Sequence, residues 1–151
     1  MDTLPLKKPR PLSILCFDFG TKRIGSAFGQ SITGGASPLQ AITARDGIPD
    51  WEQVDALVAR WQPDAFVVGL PYHMDDTESD LLIRARKFGN RLNGRYHLPC
   101  YGMDERLSSF EARGQKLRRE STAQLDCLAA QLILETWFQC LAEKFPPGLS
   151  E

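Results

Sequence analysis

Strands and amphipathic helices alternate along this chain, and the alternation predicts an α/β domain: a five-stranded mixed sheet, order 3-2-1-4-5, flanked by helices. Three observations carry the prediction. Two near-continuous apolar runs, Ile14 to Phe19 interrupted only by Asp18, and Ala65 to Leu70, have the pattern of strands covered on both faces. A turn at Gly20 to Arg23 joins the first run to a second strand, Ile24 to Gly29, so the fold opens antiparallel. The later strands are separated by helix-length segments, as parallel neighbours reached by right-handed crossovers require.

Taken in order, Met1 to Leu12 has three prolines, Lys7, Lys8 and Arg10 but no apolar core, so it reads as a loose, weakly basic tail and not as a secretory signal. The domain proper is expected over 13–144, with a short tail at 145–151. Ser37 to Arg45 reads as a third strand, with Pro38 suited to a sheet edge. Asp50 and Gln53 form a capping-box pattern ahead of a helix whose stripe is Trp51, Val54, Leu57, Val58 and Trp61 and which Pro63 stops. The tryptophans are expected in the core. The loop Pro71 to Asp76 follows the Ala65–Leu70 strand at its carboxyl end, where open α/β sheets place ligand crevices. Thr77 and Asp80 offer a second cap for a helix with Leu81, Ala85, Phe88 and Leu92 inward, ending near Gly94. Arg84, Arg86, Lys87, Arg91 and Arg95 fall on its outer faces, as either a solvated surface or a phosphate-contacting patch. His73 and His97 are not spaced as a ligand pair. His97 to Met103 reads as the fifth strand, ending on Asp104, Glu105 and Arg106. A connection containing Lys116, Arg118 and Arg119 leads to a long helix starting at Ser121 or Thr122, with Leu125, Leu128, Ala129, Leu132 and Phe138 as its buried stripe.

The totals exclude several classes. At 42% hydrophobic and 25% charged, with no run approaching the roughly 20 apolar residues of a membrane span, the chain has the composition of a soluble domain. A net charge of −1 confines any nucleic-acid surface to a local patch. Cys16, Cys100, Cys127 and Cys140 form no Cys-x-x-Cys pair, which argues against zinc and disulfides and fits a reducing cytoplasm.

Asp18 is the departure that points to chemistry. An ionised group in a buried strand costs several kcal/mol or more without compensation by a metal, a cation or a water-filled cleft. Gly25, Ala27 and Gly29 share a face of the next strand and allow a backbone or an anionic ligand to approach it. In the predicted order Asp18 is on the central strand, Glu105 ends the fifth, and Asp126 sits in the first turn of a helix crossing the sheet, where the helix dipole also favours an anion. Three converging carboxylates repel one another unless a divalent cation lies between them. Mg²⁺ or Mn²⁺, one or two ions, suits such oxygen ligands and activates water in phosphodiester cleavage.

Four segments, FDFGTKRIGSAFG, VVGLPYHMDDT, DERLSSFEAR and LDCLAAQLILE, closely resemble in order and spacing the YqgF family, also called RuvX, the pre-16S rRNA nucleases of the RNase H-like superfamily that includes RuvC-type Holliday junction resolvases. The resemblance runs from Leu15 to Phe138. It implies an RNase H-like fold, metal-dependent trimming of the 5′ end of the small-subunit rRNA precursor, and a cytoplasmic location. By motif position it puts the metal and catalytic site on Asp18, Glu105 and Asp126, with Asp104 the alternative middle acid. It sets Lys22 and Arg23 beside the site for phosphates; Arg84, Lys87, Arg106, Arg118 and Arg119 complete the nucleic-acid contacts. Three departures stand out. Asp76 replaces a glycine of the family's N-M-D-G-T, and the connection from Arg113 to Gln124 is short and lacks a lysine that Arg118 and Arg119 could replace. Resolvases also draw their middle acid from the fourth strand, where this chain has Gly69 and Pro71.

The expected activity is therefore nuclease action on structured RNA, with precursor rRNA or ribosomal pre-subunits as partner, no membrane, and a monomer or homodimer. A junction-resolving nuclease on branched DNA is the alternative enzyme, and a non-catalytic RNA-binding or ribosome-assembly protein is the alternative of another class. An actin-like phosphotransferase would need a second lobe for which this chain is too short.

Overall fold

The computed structural model describes residues 1–73, 75, 77–108 and 122–146, with the side chain of Thr122 excepted. Seven strands, β1 (Ser13–Asp18), β2 (Arg23–Gln30), β3 (Gly35–Pro38), β4 (Ile42–Arg45), β5 (Ile48–Pro49), β6 (Ala65–Leu70) and β7 (Cys100–Asp104), form one sheet. Its order is β5-β4-β2-β1-β6-β7, with β3 also paired to β2. Helices α1 (Trp51–Trp61), α2 (Asp80–Tyr96) and α3 (Thr122–Lys144) cover it. β1 is antiparallel to β2 and parallel to β6, which is parallel to β7. The mixed sheet around a central first strand is the predicted one.

The third strand is the main revision. It is two strands, because pairing to β2 slips by one residue between Ala27↔Pro38 and Ile24↔Ile42, a bulge that bends the edge. The buried Ser26 hydroxyl spans the interruption, donating to the Gln40 carbonyl and accepting from Gln40 N–H at 3.2 Å. Hydroxyl bonding of this kind leaves no signature in hydrophobic periodicity. A two-residue strand, β5, then extends the edge.

The strands alternate sides. Leu15, Phe17, Phe66, Val68 and Leu70 face α1 and α2 through Val54, Leu57, Leu82, Ala85, Phe88 and Leu92. Ile14, Cys16, Ala65, Val67 and Met103 face α3 through Ile133, Leu134, Trp137, Phe138 and Leu141. Trp51 and Trp61 pack against the first core, as expected.

Helix boundaries follow local bonds that the sequence reading assigned otherwise. Asp50 caps α1 by accepting from Glu52 N–H at 3.1 Å, but Gln53 does not close a capping box. Its Oε1 accepts from Thr43 N–H at 2.8 Å and ties the helix to β4. Ser79 caps α2, accepting from Leu82 N–H at 3.0 Å, while Thr77 bonds Asp75. The inward residue is thus Leu82, not Leu81. The same helix passes Gly94 and ends at Tyr96, with His97 in the left-handed conformation at φ 57°. In α3 Ala129 and Phe138 are buried as expected, but Ala130, Ile133, Leu134 and Trp137 complete the buried face, whereas Leu125, Leu128 and Leu132 are half-buried. Apolar residues lie on several sides of this helix, so their spacing did not single out one face.

Residues 1–5, part of the stretch 1–12 expected as a loose tail, are bonded to β7 and to α3. Gly102 N–H donates to the Asp2 carbonyl at 3.0 Å, Trp137 Nε1 to Thr3 at 2.6 Å and Lys144 Nζ to Pro5 at 2.7 Å. Among the described residues no helix is long and apolar enough to cross a membrane.

Candidate active site

Asp18 ends β1 on the α3 side of the sheet, because it continues the alternation of Ile14 and Cys16. Its neighbours in the sheet are both glycine. In β2 it pairs with Gly25, and in β6, where Phe17 pairs with Val68, the next position is Gly69. Each glycine is the seat of another acidic residue.

At Gly25, α3 crosses so closely that a Cβ would overlap the carbonyl of Asp126 and stand 2.8 Å from Cys127 N. Of the two visitors the small-residue face could admit, a backbone has come. At Gly69, a Cβ would stand 2.6 Å from Glu105 Oε1 and 2.7 Å from Ile133 Cδ1, so the missing side chain makes room for the Glu105 carboxylate. Glu105 thus reaches over β6 from the end of β7, through the 3₁₀ turn Glu105–Leu107. Asp18, Glu105 and Asp126 are brought to one end of the sheet on one face, and each is half-buried, open to solvent on one side.

Two buried thiols lie beside these acids. Burial pushes the Cys16 thiol well up, and the charges of Asp18 and Glu105 add to it. Cys127 is also raised by burial, with Asp126 and Asp18 adding to it against a hydrogen bond at Ser26.

Asp104 and Glu105 divide their work. Asp104 caps the 3₁₀ turn, accepting from Arg106 N–H at 2.9 Å, and takes the Arg106 guanidinium at 2.6 Å. Those bonds hold its carboxyl below the usual range. Arg106 also donates to the His73 carbonyl at 3.0 Å and lies over the Tyr72 ring, its guanidinium carbon 5.1 Å from the centroid. Arg86 approaches the same ring at 5.6 Å and donates to the Tyr72 hydroxyl at 2.6 Å. The sequence reading missed this clamp on the loop after β6; an aromatic residue at a strand end between two cationic segments was its only signal.

Arg23, at the start of β2, donates through Nε to Asp126 Oδ2 at 3.0 Å. Lys22 is exposed on the β1–β2 turn beside it. Among the described residues no group of three or more His, Cys, Asp or Glu side chains stands where it could hold a metal ion, and Asp126 is turned to Arg23. The donor set nonetheless fits a hard divalent ion, since it consists of carboxylate oxygens with a solvent-facing side. Arg84 and Lys87 are exposed on α2, on the other side of the sheet. Asp76, Arg118, Arg119 and the connection from 109 to 121 lie outside the described residues.

Known proteins resemble this chain in sequence and in fold. The model of the RuvX family, described as "Holliday junction resolvase", matches residues 12–140. A Marinobacter nauticus protein named "Putative pre-16S rRNA nuclease" is 54% identical over 129 residues, covering 82% of this chain and 90% of its own length. A Pseudomonas fluorescens protein of the same name is 51% identical over 138 residues, covering 87% and 95%. Among solved structures, Thermus thermophilus RuvC in complex with Holliday junction substrate aligns with a TM-score of 0.54 at 14% identity, covering 87% of this chain and 96% of that one. At that identity it is the RuvC-like, RNase H-like fold that is shared. With sheet, motifs and matched span in agreement, the chain belongs to the RuvX family of nucleases.

Proposed function

We propose that this protein is a metal-dependent phosphodiester hydrolase acting on structured RNA, which trims the 5′ end of precursor 16S rRNA in the cytoplasm. Asp18 and Asp126 serve as metal ligands and Glu105 as a ligand or as the base that orients the attacking water. The observation that carries the reading is the pair of glycines, Gly25 and Gly69, flanking Asp18, each overlain by one of the other acidic residues. A bound Mg²⁺ or Mn²⁺ would supply Lewis-acid stabilisation and a nucleophilic water at neutral pH.

The chain's own groups do the rest. Arg23 fixes the Asp126 carboxylate and, with Lys22, offers positive charge to a phosphate at the sheet end. The Arg106 clamp holds β7 and the loop after β6 together, so Glu105 projects from a fixed turn. The names of the curated relatives support precursor rRNA as the substrate.

The test is cleavage of precursor 16S rRNA carrying its 5′ extension, with Mg²⁺ or Mn²⁺, against chelator and against Asp126→Asn. Shortened product lost in both controls is expected. Product surviving both overturns the reading, and preferential cutting of four-way DNA junctions replaces RNA with branched DNA. Binding without cleavage, with RNA processing intact in an Asp18→Asn strain, replaces the enzyme with an assembly factor.

A further inference from the structure

We infer that a cleft between the Asp46–Pro49 turn and α2 binds the phosphodiester backbone of the same nucleic-acid strand, away from the bond being cut; this rests on the nuclease reading. The cleft measures about 200 Å³ and is lined by Asp46, Gly47, Ile48, Arg84, Lys87 and Arg91. That is below the roughly 300 Å³ of ordinary small-molecule pockets, enough for a phosphate with its sugar.

Its charge is the first argument. Arg84, Lys87 and Arg91 recur at helical spacing on one side of α2, where like charges repel one another and add nothing to the helix. Three cations face the single carboxylate of Asp46, in a chain whose net charge is −1. Arg84 reaches that carboxylate and the Asp46 carbonyl only at 3.3 and 3.4 Å. Among the described residues, Lys87 and Arg91 take part in no ion pair. Ile48, 61% exposed, adds an apolar wall against which a sugar or base can lie.

Position is the second argument. Gly47 N–H donates to the Thr21 carbonyl at 2.9 Å and Ala44 N–H to the Lys22 carbonyl at 2.9 Å, so the floor of the cleft is bonded to the β1–β2 turn. That turn bears Lys22 and leads into Arg23, which holds Asp126. Arg23, Lys22, Arg84, Lys87 and Arg91 therefore mark a path from the carboxylates, over the end of the sheet, to the outer side of α2. A regularly phosphorylated polymer matches such a path, and contacts of this kind fix register without reading bases.

The experiment measures binding of fluorescein-labelled single-stranded RNA by anisotropy across a salt series, in chelator so that no strand is cut. Lys87→Gln with Arg91→Gln is expected to flatten the dependence of log K on log salt by about 1.4, two contacts at roughly 0.7 each. Asp46→Asn, which releases Arg84, is expected to tighten binding, an outcome misfolding does not produce. Arg60→Gln, at the far end of α1, should leave the slope unchanged. A wild-type slope in the double variant overturns the cleft, as does an equal loss in Arg60→Gln or a wild type that binds no RNA. Binding that follows the expected pattern in a protein that never cleaves with Mg²⁺ or Mn²⁺ overturns the nuclease reading alone.

Discussion

Gly69→Ala tests the seating of Glu105 with a single methyl. The added Cβ would lie 2.6 Å from Oε1, where an ordinary contact begins at 3.4 Å, so the carboxylate must retreat by about 0.8 Å (3.4 minus 2.6). Ile133 Cδ1, at 2.7 Å on the same side, blocks an easy accommodation by the core. Overpacking of this kind costs about 1–3 kcal/mol, or roughly 2–12 °C in Tm for a domain of this size. A misplacement approaching 1 Å at a catalytic group reduces turnover by up to about 100-fold. The assay is single-turnover cleavage of precursor rRNA at saturating Mn²⁺, with each protein's melting curve taken alongside. If the effect passes through Glu105, Gly69→Ala should do little further harm in a Glu105→Gln background, since residues sharing one interaction are non-additive. Equal losses in both backgrounds, or full turnover in a variant whose Tm falls as expected, would refute the reasoning.

Gly25→Ala meets backbone, not the end of a flexible side chain, and should destabilise by about 3 kcal/mol or more by prising α3 from β2, read as denaturant midpoint. Arg106→Gln removes the clamp joining Asp104, His73 and Tyr72; charge-assisted bonds of this kind predict a loss of about 2 kcal/mol. A Tm decrease of roughly 4–8 °C checks it, and a raised KM with unchanged Tm would instead make Arg106 a phosphate contact only. The Arg95 guanidinium, and then the Tyr96 hydroxyl, lower the Asp55 carboxyl to about 2. A depressed carboxylate contributes stability that is complete above its unfolded value near 3.9 and is lost as pH falls through the folded one. Asp55→Asn should therefore lower Tm slightly at pH 6 and converge with wild type near pH 2.

The sheet could be read from the chain because burial writes itself as composition: β1 and β6 are apolar on both faces, and their order follows from the crossovers. Asp18 was legible for the same reason, as a charge in a run that has no use for one. What stayed hidden depends on side chains bonding to backbone. Ser26 splits the third strand, Gln53 leaves its capping box for Thr43, and the helix expected to end near Gly94 runs on to Tyr96, where the Asn93 side chain donates to the Leu98 carbonyl. Gly69 marked only a missing acid in the sequence; in three dimensions its absent Cβ is what admits Glu105. Only Ala129 and Phe138 of the expected α3 stripe are buried, because Leu125, Leu128 and Leu132 are as apolar as the residues that took their place.

The claim beneath all of this is that Asp18, Glu105 and Asp126 share an ion. Calorimetric titration of Mn²⁺ into the wild type, Asp18→Asn, Glu105→Gln and Asp126→Asn tests it without relying on activity. Saturable binding is expected in the wild type. Affinity should fall by more than about 100-fold in Asp18→Asn and Asp126→Asn, since even outer-shell partners of a metal are worth 10- to 100-fold. Wild-type affinity in Asp18→Asn, in a protein that melts normally, would contradict the account.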